Sequence, residues 1–407
     1  MLADSTRSCS GGNRIGARSN QDTCFSDMIL RYKPSVSCLD VLLGPFQRNN
    51  PGVPEYFNGT ASWHASASNA LVDILLRSKR TGKVMLPSYT CDRVVRAVLA
   101  ADCEPVFCDV DELGRMNIQA VEDNEYTGLV AVVASHMFGA PPDRSFFRQF
   151  CDRNNALYIE DCAIASYEQL FESMSSPVPD ACVYSFGKGK PISLGFGGLG
   201  VIKHNDKFTV RDVYSERSYK NLSLVGGLGA IFGYTSVIWK LRIFLESHIK
   251  KLIGYKPGQA INFDRLPLIL VSRSMQSCLS GLVFRALDKT DVKHLRKLSS
   301  LYRKRLGYLG EAWSEVMEKD TAPFYPLVVE DRQSLYTYLL RKGINVASYF
   351  AYSAGAEYTG KSYSGSERLA ERILLLPLHD GVSEEMVKKI CRLVREWVST
   401  HEDVSAC

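Results

Sequence analysis

The chain, 407 residues long, predicts an α/β fold. A mostly parallel mixed sheet flanked by helices forms a large domain, and a smaller α+β domain follows at the C-terminus. Three observations carry this reading. Short apolar runs near 84–86, 105–110, 129–134, 156–161, 181–186 and 198–202 alternate with helical stretches, as strands joined by crossover helices do. From about residue 290 the pattern changes to long helices, beginning Val292-Lys293-His294-Leu295-Arg296-Lys297-Leu298, with short strands such as Phe324-Tyr325-Pro326-Leu327-Val328-Val329. A hydrophobic fraction of 45% with 23% charged residues gives a core large enough for two domains at this length.

Taken in order, residues 1–25 carry Ser, Arg, Gly and Asn without an apolar run, so they predict a disordered extension and no secretory signal. Structured sequence begins near Met28-Ile29-Leu30-Arg31-Tyr32, and the large domain is expected over 26–288 with an apolar and basic helical insertion at 205–262. Ser66-Ala67-Ser68-Asn69 precede a segment whose apolar residues Leu71, Ile74 and Leu75 have helical spacing. They therefore lie at a helix start, whose free N–H groups and positive dipole end suit a phosphate. Ordinary capping by Ser68 or Asn69 is the other reading of the same residues.

Ala156-Leu157-Tyr158-Ile159-Glu160-Asp161 is a strand that stops on two acids. At the carboxyl edge of an open α/β sheet, Asp161 either reaches a bound ring or caps the next helix. A carboxylate paired with a pyridine nitrogen would keep that nitrogen protonated and the ring electron-accepting. The next strand runs into Ser185-Phe186-Gly187-Lys188-Gly189-Lys190, followed by Gly195-Phe196-Gly197-Gly198. Lys190 there reads as the amine that holds pyridoxal 5′-phosphate, because Schiff-base chemistry needs an amine whose pKa is lowered by its surroundings. A solvated loop lysine is the competing reading, and Asp161 upstream tips the balance.

Leu222 to Trp239 has no charged residue and runs into the basic, amphipathic stretch Ile238 to Ile253. This segment, 222–253, reads either as a buried helical hairpin at the active-site mouth or a dimer interface, or as a peripheral contact with an anionic membrane surface. The formal net charge of +5 is modest, and no basic patch interleaved with aromatics calls for nucleic acid. Twelve cysteines without a C-x-x-C pair read as reduced core thiols of a reducing, cytoplasmic compartment. The seven His lack ligand spacing, so no metal is expected.

From about residue 66 to 395 the order of these motifs resembles the DegT/DnrJ/EryC1/StrS family of sugar aminotransferases. The likeness rests on Leu86-Pro87-Ser88-Tyr89-Thr90, Glu104-Pro105-Val106-Phe107-Cys108-Asp109-Val110-Asp111, Ala134-Ser135-His136-Met137-Phe138-Gly139 and Glu160-Asp161-Cys162-Ala163. It is extended by Ser185-Phe186 with Lys190 and Gly197-Gly198, and by Ala370 to His379. The resemblance implies fold type I, a homodimer with shared sites, and transfer of an amino group from glutamate to a nucleotide-linked keto sugar in polysaccharide or glycan biosynthesis. It implies Lys190 as the Schiff-base and proton-shuttling residue. The cofactor-binding set it implies is Asp161, Ser185, Ser68, Asn69, Ala67 and Tyr89, and the substrate candidates are His136, Arg273 and His379. The small domain is expected over 289–407.

Departures accompany the likeness. Ile164 stands where the family has a Gln that touches the cofactor's phenolic oxygen, Phe196 where an acid lies between the glycines, Ala67 for a Gly and Cys91 for an aromatic. Ser272-Arg273-Ser274-Met275 lacks the family's Asn. These changes leave the lysine chemistry intact and point to a divergent substrate or a weaker cofactor site. They also keep a second class open, a protein of this fold serving as a membrane-associated scaffold or regulator, beside pyridoxal phosphate chemistry on a non-sugar or lipid-linked acceptor.

Overall fold

The computed structural model describes residues 28–43, 59–122, 127–176, 178–203, 207–208, 220–232, 235, 245, 261 and 263–401. The expected extension at 1–25 and most of the 205–262 insertion, including most of 222–253, lie outside the described residues. The first half contains α1 (Cys38–Leu43), β1 (Thr60–His64), α2 (Ala67–Arg77), β2 (Lys83–Pro87), α3 (Asp92–Ala100), β3 (Glu104–Cys108), α4 (Ile118–Glu122), β4 (Leu129–Ser135), α5 (Arg144–Arg153), β5 (Leu157–Asp161), α6 (Tyr167–Ser175), β6 (Ala181–Ser185) and β7 (Gly198–Ile202). Then come β8 (Lys220–Leu222), α7 (Leu224–Phe232), β9 (Ile269–Val271) and α8 (Arg273–Lys289). The C-terminal part holds α9 (Val292–Leu306), α10 (Glu311–Lys319), β10 (Phe324–Val328), α11 (Arg332–Arg341), α12 (Ala354–Thr359), α13 (Ser364–Arg372), β11 (Ile373–Pro377) and α14 (Glu384–His401).

All six expected strands form, in one seven-stranded sheet of order β1-β7-β6-β5-β4-β2-β3. Strands β2 to β6 pair in parallel, and β7 runs antiparallel to both β1 and β6. The central strands read as unbroken apolar runs because both faces are covered. Val84, Leu86, Ala131, Val133, Leu157 and Ile159 enter the core shared with α2 and α3. Their alternate neighbours Met85, Val132 and Tyr158 enter a second core with Phe147 and Phe150 of α5. Leu71, Ile74 and Leu75 of α2 are fully buried, each stabilising the layer by roughly 1.5–3 kcal/mol.

The C-terminal part packs α9, α11 and α14 on the antiparallel pair β10 and β11, with Leu298, Tyr302, Leu335, Leu339, Ile390 and Val394 in its core. Residues 28–36 cross between this part and the sheet. The Ile29 N–H donates to Gly343 O at 3.0 Å, the Asn345 N–H donates to Ile29 O at 2.8 Å, and the Ser35 N–H donates to Ser193 O at 2.8 Å. Asp40 of α1 is buried and anchored by Arg285 and Lys289 of α8. No described helix is long and apolar enough to cross a membrane.

Candidate active site

The sheet topology brings the ends of several strands to one edge. In the register, Ser135 at the end of β4 faces Asp161 at the end of β5, and Ser185 at the end of β6 faces Gly198 at the start of β7. Asp161 Oδ1 accepts the Ala163 N–H at 3.0 Å, which holds the carboxylate at the strand exit. Its neighbour Glu160 points into the other core, where His136 Nε2 lies at 3.0 Å, Arg144 donates twice at 2.8 and 3.0 Å, and Tyr158 OH donates at 2.9 Å. His136 Nδ1 meets Gln169 Oε1 at 3.1 Å. The ring is thus fixed between two acceptors, with one edge in the cavity wall.

Lys190 lies in a loop that is cross-braced by its own backbone. The Phe186 N–H donates to Gly197 O and the Leu194 N–H to Phe186 O. Ser193 Oγ accepts from the Gly189 N–H and donates to Gly187 O. Gly189, at φ +70°, takes a left-handed conformation that favours glycine, and a Cβ there would also press on the Tyr32 ring. The loop then pairs with the start of α2 through the Ser66–Gly197 bridge. A Cβ on Gly198 would sit on Ala67 N and Ser66 C, so only glycine lets β7 approach this helix start.

Ser66 is the N-cap of α2, accepting the Asn69 N–H at 3.3 Å. This leaves the Ala67 and Ser68 end of the helix facing the cavity, with the positive dipole end behind it. The Asn69 amide donates to Pro267 O at 3.1 Å, so this side chain braces the helix start. Capping thus falls to Ser66 rather than to Ser68 or Asn69.

These elements enclose a cavity of about 580 Å³, within the range of cofactor and ligand sites. Lys190, Asp161, Ser185, Ala67, Ser68, Asn69 and His136 line it together. Its charged lining residues are Arg93, Lys188, Lys190 and Asp161, which favours an anion. Burial lowers the Lys190 pKa, against the raising effect of Cys91 and Asp161, while Arg93 lowers it further. Burial raises the Asp161 pKa, against the Ala163 N–H and the charges of Lys190 and His136. An amine that sheds its proton readily thus shares a cavity with a carboxyl that keeps one readily.

Three expected residues lie elsewhere. Tyr89 is fully buried behind the cavity; its hydroxyl donates to Tyr349 O and accepts the Phe350 N–H at 2.6 Å, so it positions the segment that carries Phe350 into the wall. Arg273 is exposed at the first turn of α8 and outside the cavity lining. His379 has both ring nitrogens engaged by backbone, at Leu30 O and the Gly381 N–H, and burial lowers its pKa to about 4. It lines a separate small recess that touches the other side of Lys190.

Sequence reasoning missed Arg93, Ser135 and Phe350 as lining residues. Arg93 stands three residues beyond Thr90, on the helix leaving the same sheet edge, and that position was its only signal. His136, Glu160 and Cys162 place one potential metal-ligand atom each within 4.8 Å of one another. The Arg144 guanidinium already neutralises that carboxylate, so the cluster serves as an internal ion pair.

Over residues 57–222 the chain matches the sequence model of the DegT/DnrJ/EryC1/StrS aminotransferase family, which bears out the resemblance read from its motifs. It is 24% identical over 355 residues to GDP-perosamine synthase of Escherichia coli O157:H7, covering 84% of each chain. It is 23% identical over 348 residues to UDP-N-acetyl-3-dehydro-alpha-D-glucosamine 3-aminotransferase of Acidithiobacillus ferrooxidans, covering 81% of this chain and 82% of that one. The structure is similar to NtdA from Bacillus subtilis with bound cofactor PMP, with a TM-score of 0.62 at 16% identity over 89% of this chain and 82% of that chain. That likeness agrees with the expected fold, a mostly parallel mixed sheet flanked by helices.

Proposed function

Taking residues 57–222 as a segment of that aminotransferase family, we propose that the chain is a pyridoxal-phosphate-dependent aminotransferase. It moves an amino group from glutamate to a nucleotide-linked keto sugar. The observation that carries this reading is the convergence of Lys190, Asp161, Ser185 and the α2 start in one cavity.

The residues present fit the cofactor. The glycine-lined approach of β7 to α2 leaves a helix start open to a phosphate, beside Ser185. Asp161 would offer the pyridine nitrogen a partly buried carboxyl whose pKa burial raises. Lys190 would supply the amine that attaches the cofactor, and burial, by lowering its pKa, makes it a readier base than an ordinary lysine. When bound, the cofactor supplies a sink for the electron pair left behind as the donor's Cα proton departs. Lys190 would take that proton and hold it for return, serving as base in one half of the transfer and as acid in the other. Arg93 and Lys188 give the cavity a positive charge that suits the diphosphate of a nucleotide sugar. The names of the similar proteins of Escherichia coli and Acidithiobacillus ferrooxidans support a nucleotide-linked acceptor.

The purified protein is expected to be yellow, glutamate is expected to bleach it, and Lys190→Ala is expected to lose both properties. Protein that stays colourless after pyridoxal phosphate is added would sink the enzyme reading. It would favour a scaffold or regulator, for which Ile164 and Phe196 in the cavity lining are the supporting observations. Colour with no glutamate response would redirect the search to another donor or acceptor.

The same proposal includes a homodimer in a reducing, cytoplasmic setting, built from a large domain over 26–288 and a small one over 289–407. The exposure of Arg273 outside its own chain's cavity supports a role across such a dimer. Light scattering on the eluting protein tests the mass, and a monomer would remove that role. Peripheral membrane contact through 222–253 is tested by co-sedimentation with anionic vesicles at low salt, where absence of binding would retire it.

A further inference from the structure

Ser135 ends β4 beside Asp161 and immediately before His136. It is 7% exposed, it lines the cavity, and its Oγ has no hydrogen-bond partner among the described residues. A buried hydroxyl left unpaired is costly unless a ligand completes it. This inference rests on the cofactor reading above and deepens it. The cofactor's polar groups are then assigned in turn: phosphate to the α2 start and Ser185, ring nitrogen to Asp161, aldehyde carbon to Lys190. The phenolic oxygen is left over, and Ile164, an apolar lining residue of the same cavity, can offer it nothing.

We infer that the Ser135 hydroxyl is the protein's hydrogen-bond donor to the cofactor's phenolic oxygen, in place of the amide that Ile164 lacks. A serine hydroxyl can make this bond because it donates along a freely rotating O–H. The phenolic oxygen carries negative charge when the cofactor is attached, so the bond is charge-assisted and stronger than an ordinary one.

The test is titration of cofactor-free wild type, Ser135→Ala and Ser135→Ala/Ile164→Gln with pyridoxal phosphate, read by absorbance, with thermal melts of each protein free and loaded. Ser135→Ala is expected to weaken cofactor binding about tenfold, the size of one hydrogen bond to a charged group. Its cofactor-free melt is expected to stay level with wild type or rise, because only an unpaired hydroxyl is removed, while its loaded melt falls below loaded wild type. Restoring an amide with Ile164→Gln is expected to recover most of the lost affinity. Unchanged affinity in Ser135→Ala, or equal melting losses in the free and loaded states, would overturn the assignment and leave Ser135 a packing residue. Failure of Ile164→Gln to recover any affinity would overturn the phenolic oxygen as the partner. Wild type that takes up no pyridoxal phosphate at all would instead overturn the cofactor reading beneath it, so the two failures are distinguishable.

Discussion

Glu160→Gln removes a buried charge while keeping the side chain's shape. In the native protein the Glu160 carboxylate is fully buried and receives Arg144 in two bonds, the Tyr158 hydroxyl and the His136 ring. Burial alone would raise its pKa; the bonds and charges of His136 and Arg144 more than offset that and hold it at about 2, against an ordinary 4.5. At about 1.4 kcal/mol per pH unit, that depression corresponds to about 3 kcal/mol of stability at neutral pH. The figure agrees with the roughly 3–5 kcal/mol typical of a buried ion pair that loses one partner. The sign follows from proton uptake. The unfolded chain binds a proton near pH 4.5 and the folded chain only near 2, so the contribution is complete above 4.5 and disappears as pH falls toward 2. Urea unfolding at pH 7 is therefore expected to show Glu160→Gln less stable by about 3 kcal/mol, and the gap is expected to narrow steadily below pH 4.5. A loss under about 1 kcal/mol at pH 7, the scale of an exposed pair, or a gap that persists at the acid end, would refute the reasoning. Because His136 hangs on the same carboxylate, the variant should also loosen the cavity wall and weaken cofactor retention.

Gly198→Ala should do more damage at the site than to the fold. Its Cβ would meet backbone of α2, which cannot swing aside as a flexible side chain can, so roughly 1–3 kcal/mol of overpacking strain is expected. The checking measurement is cofactor affinity, expected to fall at least tenfold (about 1.4 kcal/mol); unchanged affinity would show that the helix start does not hold the phosphate. The lowered pKa of Lys190 predicts that the rate of cofactor attachment rises with pH and levels off below the ordinary lysine value of 10.5, since only the neutral amine attacks. Stopped-flow absorbance across pH 6–10 checks this, and a rate still climbing as it would for a free lysine contradicts the burial argument.

The strands that could be read in advance were those buried on both faces. Met85, Val132 and Tyr158 face one core while Leu86, Val133 and Ile159 face the other, so their runs are unbroken and their character unmistakable. β1 escaped notice because it is an edge strand. Thr60 is exposed and only Trp63 and His64 are buried, so its composition carries neither alternation nor a continuous apolar run. In the site, Asp161 and Lys190 were visible because an acid or an amine at a strand end is chemically conspicuous. Ser135 was not, since a serine gives no sign of whether its hydroxyl is paired. Tyr89 was expected in the cofactor shell on the family resemblance of Leu86 to Thr90. The structure turns its ring inward to meet Tyr349 and Phe350, a partnership between distant stretches of chain that no local pattern encodes. His379 likewise owes its surroundings to Leu30.

The crossing made by residues 28–36 has a consequence for when the site comes into being. Ile29 adds its backbone beside Ile344, and Ser35 ties the same stretch to the loop of Lys190 through Ser193. Ser35 thus braces the lysine loop from a segment that Ile344 holds in turn, while Asp161 and the α2 start come from the sheet. A nascent chain that has completed the sheet still lacks the segment against which Ile29 lies. On the proposed function, the capacity to hold a cofactor at Lys190 matures only as the final third of the polypeptide joins, so cofactor uptake would report that this part has assembled.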